Sequence, residues 1–256
     1  MSGPRQSSHP EAGAEPRTDE PKAEQPKAEQ PGTEQESMLR GWVCGTLRSN
    51  AAGMPVEHAL GVRNGNTQPP PDVPIVIKLG GSLLMRPNWP ALLMPLVDSY
   101  RPRACCLIVG GGAVVDGLRM LDRVAPQPPR LMHELAIDAM RLTGRLVSAA
   151  VRLPLIPFPP GPGEVAVLDV PAWLASGARV ACLPIGWGVT SDTIAAHVAV
   201  EHGGMLLLAK SIPPPPCPGD VDRVKALALA GWVDDSFPVA SGPLGTIEWA
   251  APQAYA

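Results

Sequence analysis

The sequence lacks an excess of positive charge: 21 Lys and Arg stand against 24 Asp and Glu, a formal net charge of −3. A phosphate backbone needs a basic stripe, so no nucleic-acid partner is expected. No apolar run reaches the roughly 18 residues of a membrane-spanning helix, so no membrane partner is expected either. The opening residues, MSGPRQSSHPEAGAEP, hold no apolar stretch and do not read as a secretory signal. Cysteine is sparse. Cys44, Cys105, Cys106, Cys182 and Cys217 form no Cys-x-x-Cys pair, which reads as reduced, buried thiols in a cytoplasmic protein. A GxSxG elbow is missing, which removes the common serine-hydrolase reading. GxxxxGK[ST] is missing too, so the chain is not a P-loop protein. His133, His197 and His202 sit on helical segments without metal-ligand spacing, so no protein-held metal is expected.

Proline is abundant but unevenly placed, with 10 of the 33 in residues 1–71. That stretch has almost no apolar periodicity and repeats PKAEQ at 21–25 and 26–30. Such a composition buries too little apolar surface to offset its backbone entropy. Residues 1–71 therefore read as a disordered tail and linker, dispensable for stability and binding, with either a short element or plain linker at 38–71. Residues 72–256 read as one domain, long enough for a real core.

In that domain apolar strands alternate with helices. Strands are expected in the run PIVIKLGG from Pro74, which ends in a glycine loop, and at 104–109, 165–168, 178–183 and 205–209. Helices are expected at 89–99, 113–123, 131–149, 171–176, 191–203 and 220–231. On 113–123, Val114, Val115, Leu118 and Leu121 share one side and Arg119, Asp122 and Arg123 the other. On 131–149 the apolar positions are Leu131, Leu135, Ile137, Met140, Leu142 and Leu146. This alternation implies a mostly parallel sheet covered on both faces, an α/β fold. Ligands of such sheets bind beyond the carboxyl ends of the strands.

Four groups stand at those ends. Lys78-Leu79-Gly80-Gly81-Ser82 is either a phosphate cradle with a point charge or a snorkelling lysine before a tight turn. Gly110-Gly111-Gly112 leads from a strand into a helix, where free N–H groups suit an anion; it is also compatible with an empty loop. Thr190-Ser191-Asp192 either caps a helix or presents Asp192 to the cleft. Lys210 ends the strand MLLLAK, at an exposed strand end or at the site. Lys78, Lys210 and Lys225 are the only lysines from residue 72 onward, and two of them end apolar strands. Trp187 and Trp232 read as packing anchors. Glycine loops, strand-end lysines and a poised carboxylate suit phosphoryl transfer, which needs positioning and cations more than a covalent nucleophile.

IVIKLGGSLL, LIVGGGAVVDGLR and LPIGWGVTSDTIAA, in that order and spacing, resemble the amino acid kinase superfamily, which includes acetylglutamate, aspartate and uridylate kinases. HELAIDAMRLTGRL and GWVDDSFP resemble its methanofuran-making branch, which phosphorylates an aminomethyl-furanmethyl phosphate to the diphosphate. The resemblance covers residues 74–238. It implies a three-layer αβα sandwich and an ATP-dependent small-molecule kinase using Mg2+, commonly a homo-oligomer. It also implies that Lys78 contacts the transferred phosphates and that Gly80, Gly81, Ser82 and Lys210 serve ATP. Gly110, Gly111, Gly112 and Ser191 would serve the acceptor, and Asp192 would organise the lysine or the magnesium. Two departures accompany the likeness. AKSIPPPP stands where the superfamily has an acidic TDVDG-like stretch, and residues 234–256 contain no Lys or Arg where a second catalytic lysine is common. Lys210 is the expected substitute. The alternatives are a degenerate nucleotide- or metabolite-binding member and an amino-acid (carboxylate) kinase.

Overall fold

Runs of aliphatic residues without polar alternation form strands buried on both faces, and the chain contains several. The computed structural model describes residues 41–49, 72–177, 184–217 and 222–253. Within them the strands are β1 (Trp42–Ser49), β2 (Ile75–Leu79), β3 (Cys105–Val109), β4 (Leu155–Ile156), β5 (Val165–Leu168), β6 (Met205–Ala209) and β7 (Thr246–Pro252). They form one sheet in the order β1-β7-β6-β2-β3-β5-β4. Every neighbouring pair is parallel except β1 with β7. The helices are α1 (Trp89–Asp98), α2 (Gly112–Val124), α3 (Pro129–Val151), α4 (Val170–Ala175), α5 (Ser191–Glu201), α6 (Arg223–Leu229) and α7 (Phe237–Ala240). A 3-10 turn, Gly81–Met85, follows β2.

Strand alternation sends odd and even positions to opposite faces of the sheet. Ile75, Ile77, Leu107, Val109, Met205 and Leu207 join Leu93, Leu96 and Val97 of α1 and Val147 of α3 in one core. Val76, Cys106, Ile108, Leu206 and Leu208 join Ile194 and Val198 of α5, Leu227 of α6 and Phe237 of α7 in the other. Two apolar layers against one sheet give the expected αβα arrangement. Full burial of a Val, Leu or Ile contributes about 1.5–3 kcal/mol, so the central strands anchor both layers. The alternation also decides the site, because Lys78 continues the series Val76, Lys78 toward the α5 face, and Lys210 continues Leu206, Leu208 toward the same face.

The strands and helices read from sequence are present, with boundaries shifted by a few residues, except 178–183 and the tail 1–37, which lie outside the described residues. Three points differ. Residues 42–49, for which the sequence leaves both a short element and plain linker open, are an edge strand of the sheet and not part of a dispensable tail: Trp42 is buried and its Nε1 donates to Leu92 O at 2.9 Å, and Arg48 donates to Ser241 O at 2.6 Å. A strand whose partner lies at the far end of the chain leaves no local signal. That partner, β7, escaped the pattern because Glu248 interrupts TIEWAAP; the Tyr100 hydroxyl satisfies it at 2.6 Å. The apolar positions of α2 and α3 do not all face the core. No residue of α2 is fully buried, and Leu121, Val124, Leu142 and Leu146 lie exposed. Cys105 and Cys106 are buried as expected, and burial pushes their thiols up to about 11 and about 12.

Trp42→Ala should therefore destabilise the protein by about 3–5 kcal/mol, the usual cost of deleting a buried Trp side chain. Chemical denaturation of the two proteins measures this; unchanged stability would mean that β1 contributes nothing to the sheet.

Candidate functional site

Because β2, β3 and β6 run parallel, their carboxyl ends open on one edge of the sheet. The ladder carries on into the loops, with Gly80 N donating to Ala209 O at 2.7 Å and Gly110 N to Leu79 O at 2.9 Å. The loops after β2 and β3 then touch each other. A Cβ on Gly81 would sit 2.2 Å from Gly112 N, and Gly112 has φ +53°. The glycines are thus required by loop-to-loop contact in addition to any ligand they serve. A Cβ on Gly110 would meet Ser191 Oγ at 2.9 Å, which brings the start of α5 against the same loops.

Asp192 is the second residue of α5 and is buried. Lys78 Nζ lies 2.7 Å from its Oδ1, and Lys210 Nζ lies 2.7 Å from its Oδ2. One carboxylate therefore serves two ammonium groups, and Asp234 adds a second negative charge facing Lys210. Burial works against the charge of Asp192, but the two lysines outweigh it and hold the carboxyl below its usual range. Burial, then the like charge of Lys78, pulls Lys210 down to about 8 against the opposing pull of Asp192 and Asp234. Removing one partner of a buried ion pair costs about 3–5 kcal/mol, so the three side chains stand or fall together.

Lys210 is also held by a residue read as packing alone. Trp232 accepts from Nζ through its carbonyl oxygen, and its ring centroid lies 4.6 Å from Nζ. Trp187 likewise stacks on a cation, Arg119, at 5.1 Å, while its Nε1 donates to Asp122 at 2.8 Å. Asp234 was not singled out in the sequence, yet it accepts from Thr190, Thr193 and Ser236. Its one signal was the acidic pair in GWVDDSFP.

The cleft above these groups has a volume of 470 Å³. Lys78, Gly81, Ser82, Gly110, Gly111, Gly112, Ser191, Asp192 and Lys210 all line it. Gly80 does not; its backbone is engaged in the ladder with Ala209. Ser82 Oγ bonds Ser211 Oγ at 2.9 Å, joining the loops after β2 and β6. One end of the cleft runs between α2 and α3, past Val115, Asp116, Arg119, His133, Ile137 and Met140. Arg119 lines the cleft, whereas Arg141 is paired with Asp169 at 2.9 Å. The other end reaches Gly231, Trp232 and Asp235.

The donor set tests what the cleft can hold. Two ammonium groups and the glycine-loop backbone suit a polyphosphate. A magnesium ion needs oxygen ligands, and here Asp192 is occupied by lysines and Asp234 by hydroxyl and amide donors. Among the described residues no group of three or more His, Cys, Asp or Glu is placed to hold a metal.

No protein-family profile matches the sequence, and no curated protein does. Solved structures that the chain is similar to include uridylate kinase from Archaeoglobus fulgidus, at 15% identity over 71% of this chain and 91% of that one, TM-score 0.47. UMP kinase from Ureaplasma parvum gives 11% identity over 71% and 100%, TM-score 0.48. Aspartate kinase from Synechocystis gives 16% identity over 71% and 41%, TM-score 0.46.

The loop contact carries its own test. Gly81→Ala should unfold at clearly lower urea concentration than the parent, because its Cβ collides with backbone. Gly117→Ala, in α2 where a Cβ meets nothing within 4 Å, should gain about 0.5–1 kcal/mol. Equal midpoints for the two variants would refute the collision.

Proposed function

We propose that the chain is an ATP-dependent small-molecule kinase of the amino acid kinase type, acting on a phosphate-monoester acceptor. The observation that carries this reading is the pair of buried lysines sharing one carboxylate beside two glycine loops. Two ammonium groups fixed at the carboxyl ends of adjacent strands, beside glycine-loop N–H groups, suit the oxygens of a polyphosphate.

ATP supplies the phosphoryl group when bound. Lys78 and Lys210 present ammonium groups to the oxygens on which negative charge builds, the largest contribution such a site makes. Asp192 fixes both lysines. Backbone N–H groups of Gly81, Gly111 and Gly112, with Ser82 and Ser191, orient the two substrates. Lys210 thereby fills the place of the cation absent from residues 234–256. The acceptor is the finer part of the reading: the motifs at 133–146 and 231–238 favour an aminomethyl-furanmethyl phosphate. We further read the exposed apolar face of α2 and α3 as the contact between copies in a homo-oligomer.

ADP release measured against the furan phosphate, UMP, acetylglutamate and aspartate tests the activity. Release is expected with the furan phosphate, and Lys78→Ala and Lys210→Ala should each lose about 10²–10³-fold in turnover. ATP binding without release for any acceptor would support the degenerate alternative, and release with acetylglutamate or aspartate alone would support the carboxylate kinase. The pH profile follows from Lys210. As pH rises through about 8 the free enzyme loses the Lys210 proton, so kcat/KM should fall on the alkaline side. Lys210→Arg should move that fall to higher pH. Sedimentation velocity tests the assembly, with Leu142→Glu/Leu146→Glu expected to give monomers from an associating parent.

A further inference from the structure

The loop at residues 231–236, between α6 and α7, holds both halves of the Lys210–Asp192 pair. Its first hold is Trp232. The carbonyl oxygen accepts from Lys210 Nζ, the ring lies 4.6 Å beneath that nitrogen, and the indole Nε1 donates to Ile212 O at 3.2 Å. Lys210 is thus gripped at its head and again two residues along its backbone.

The second hold is Asp234. Its Oδ2 accepts from Thr190 N at 3.1 Å, Thr190 Oγ1 at 2.7 Å and Thr193 N at 3.1 Å. Its Oδ1 accepts from Thr193 Oγ1 at 2.5 Å and from Ser236 N at 3.1 Å. Thr190 is the N-cap of α5 and Thr193 stands in its first turn, on either side of Asp192. A helix start needs its free N–H groups satisfied, but Thr190 already does part of this by accepting from Asp192 N at 3.3 Å. A remote carboxylate taking two hydroxyl and two amide donors from the same turn does more than cap: it fixes where that turn sits.

We propose that Asp234 is a positioning residue of the phosphoryl-transfer site, seating the first turn of α5 so that Asp192 meets Lys210 while Trp232 in the same loop seats Lys210. This rests on the kinase reading for its purpose, though not for its test. The groups that face Lys210 are Asp192 from α5, Lys78 from β2, and Asp234 and the Trp232 ring from the loop. Lys78 opposes the charge of Lys210, and the two carboxylates favour it. Asp234 therefore supports the Lys210 charge twice, by its own field and by holding Asp192 in place.

The chain has five lysines, at 22, 27, 78, 210 and 225, so side-chain carbon labelling of lysine gives few enough NMR signals to follow each through a pH titration. Single Lys→Arg variants assign them. In Asp234→Asn the Lys210 midpoint should fall by about half a pH unit or more. Lys225, paired with Asp222 away from the cleft, should not move. Asp234→Glu should restore most of the shift. If Asp234→Asn does not fold, Thr193→Val decides, because it removes one link to the turn and leaves the Asp234 charge. Its Lys210 midpoint should also fall. A folded variant of either kind with the parent Lys210 midpoint would overturn the proposal. Because this readout needs no turnover, it stands even if no acceptor releases ADP, and a failed activity assay and a failed positioning role remain separate results. Where turnover is measurable, Asp234→Asn should lower kcat at least tenfold and change the KM for ATP less than threefold.

Discussion

Two ammonium groups on one buried carboxylate is the constraint to which the rest of the cleft answers. Each ion taken out of water carries several kcal/mol of desolvation, and the pair repays this only with close contact and further polar partners. The structure supplies those partners from outside the three residues. Trp232 gives Lys210 a carbonyl and a ring, and the start of α5 gives Asp192 a fixed place. What remains is a pair of fixed ammonium groups lining the cleft beside two glycine loops.

The sheet makes this meeting possible. Lys78 and Lys210 come from adjacent parallel strands, and the register sets Lys78 opposite Leu208. Both therefore emerge at the same edge and on the same face. A shift of one residue in either strand would turn its lysine toward α1 and separate it from Asp192. The apolar residues that β2 and β6 send to either face oppose such a shift, since it would exchange the residues of two distinct cores.

Much of this was legible in the sequence, for physical reasons that differ by element. Strands buried on both faces announce themselves as short aliphatic runs, so β2, β3, β5 and β6 could be read directly. Lys78 and Lys210 stood out because lysine is rare at such positions, and Asp192 because it followed a capping pair. What could not be read depended on distant partners. β1 and β7 pair with one another across nearly the whole domain. Asp234 acts on a helix that precedes it by about forty residues, and no local pattern distinguishes it from Asp235. The cation-stacking role of Trp232 was hidden likewise, because a buried indole packs whether or not an ammonium lies over it. The outward apolar residues on α2 and α3 misled in the opposite sense: periodicity shows that a helix has an apolar face, not which way that face points.

The pairing of β1 with β7 also bears on how the chain reaches this state. Trp42 lies opposite Pro252 and Ser49 opposite Thr246, so this contact spans some two hundred residues of chain. On the ribosome the first strand is made long before its mate exists. Contacts of such separation carry the largest loop-closure cost in the sheet. Closure of so long a loop is slow compared with local contacts, and until it happens TIEWAAP and WVCGTLRS carry unpaired backbone N–H and C=O groups. The outermost strand, which takes no direct part in the cleft, thus covers an edge of β7 that would otherwise be open to other chains.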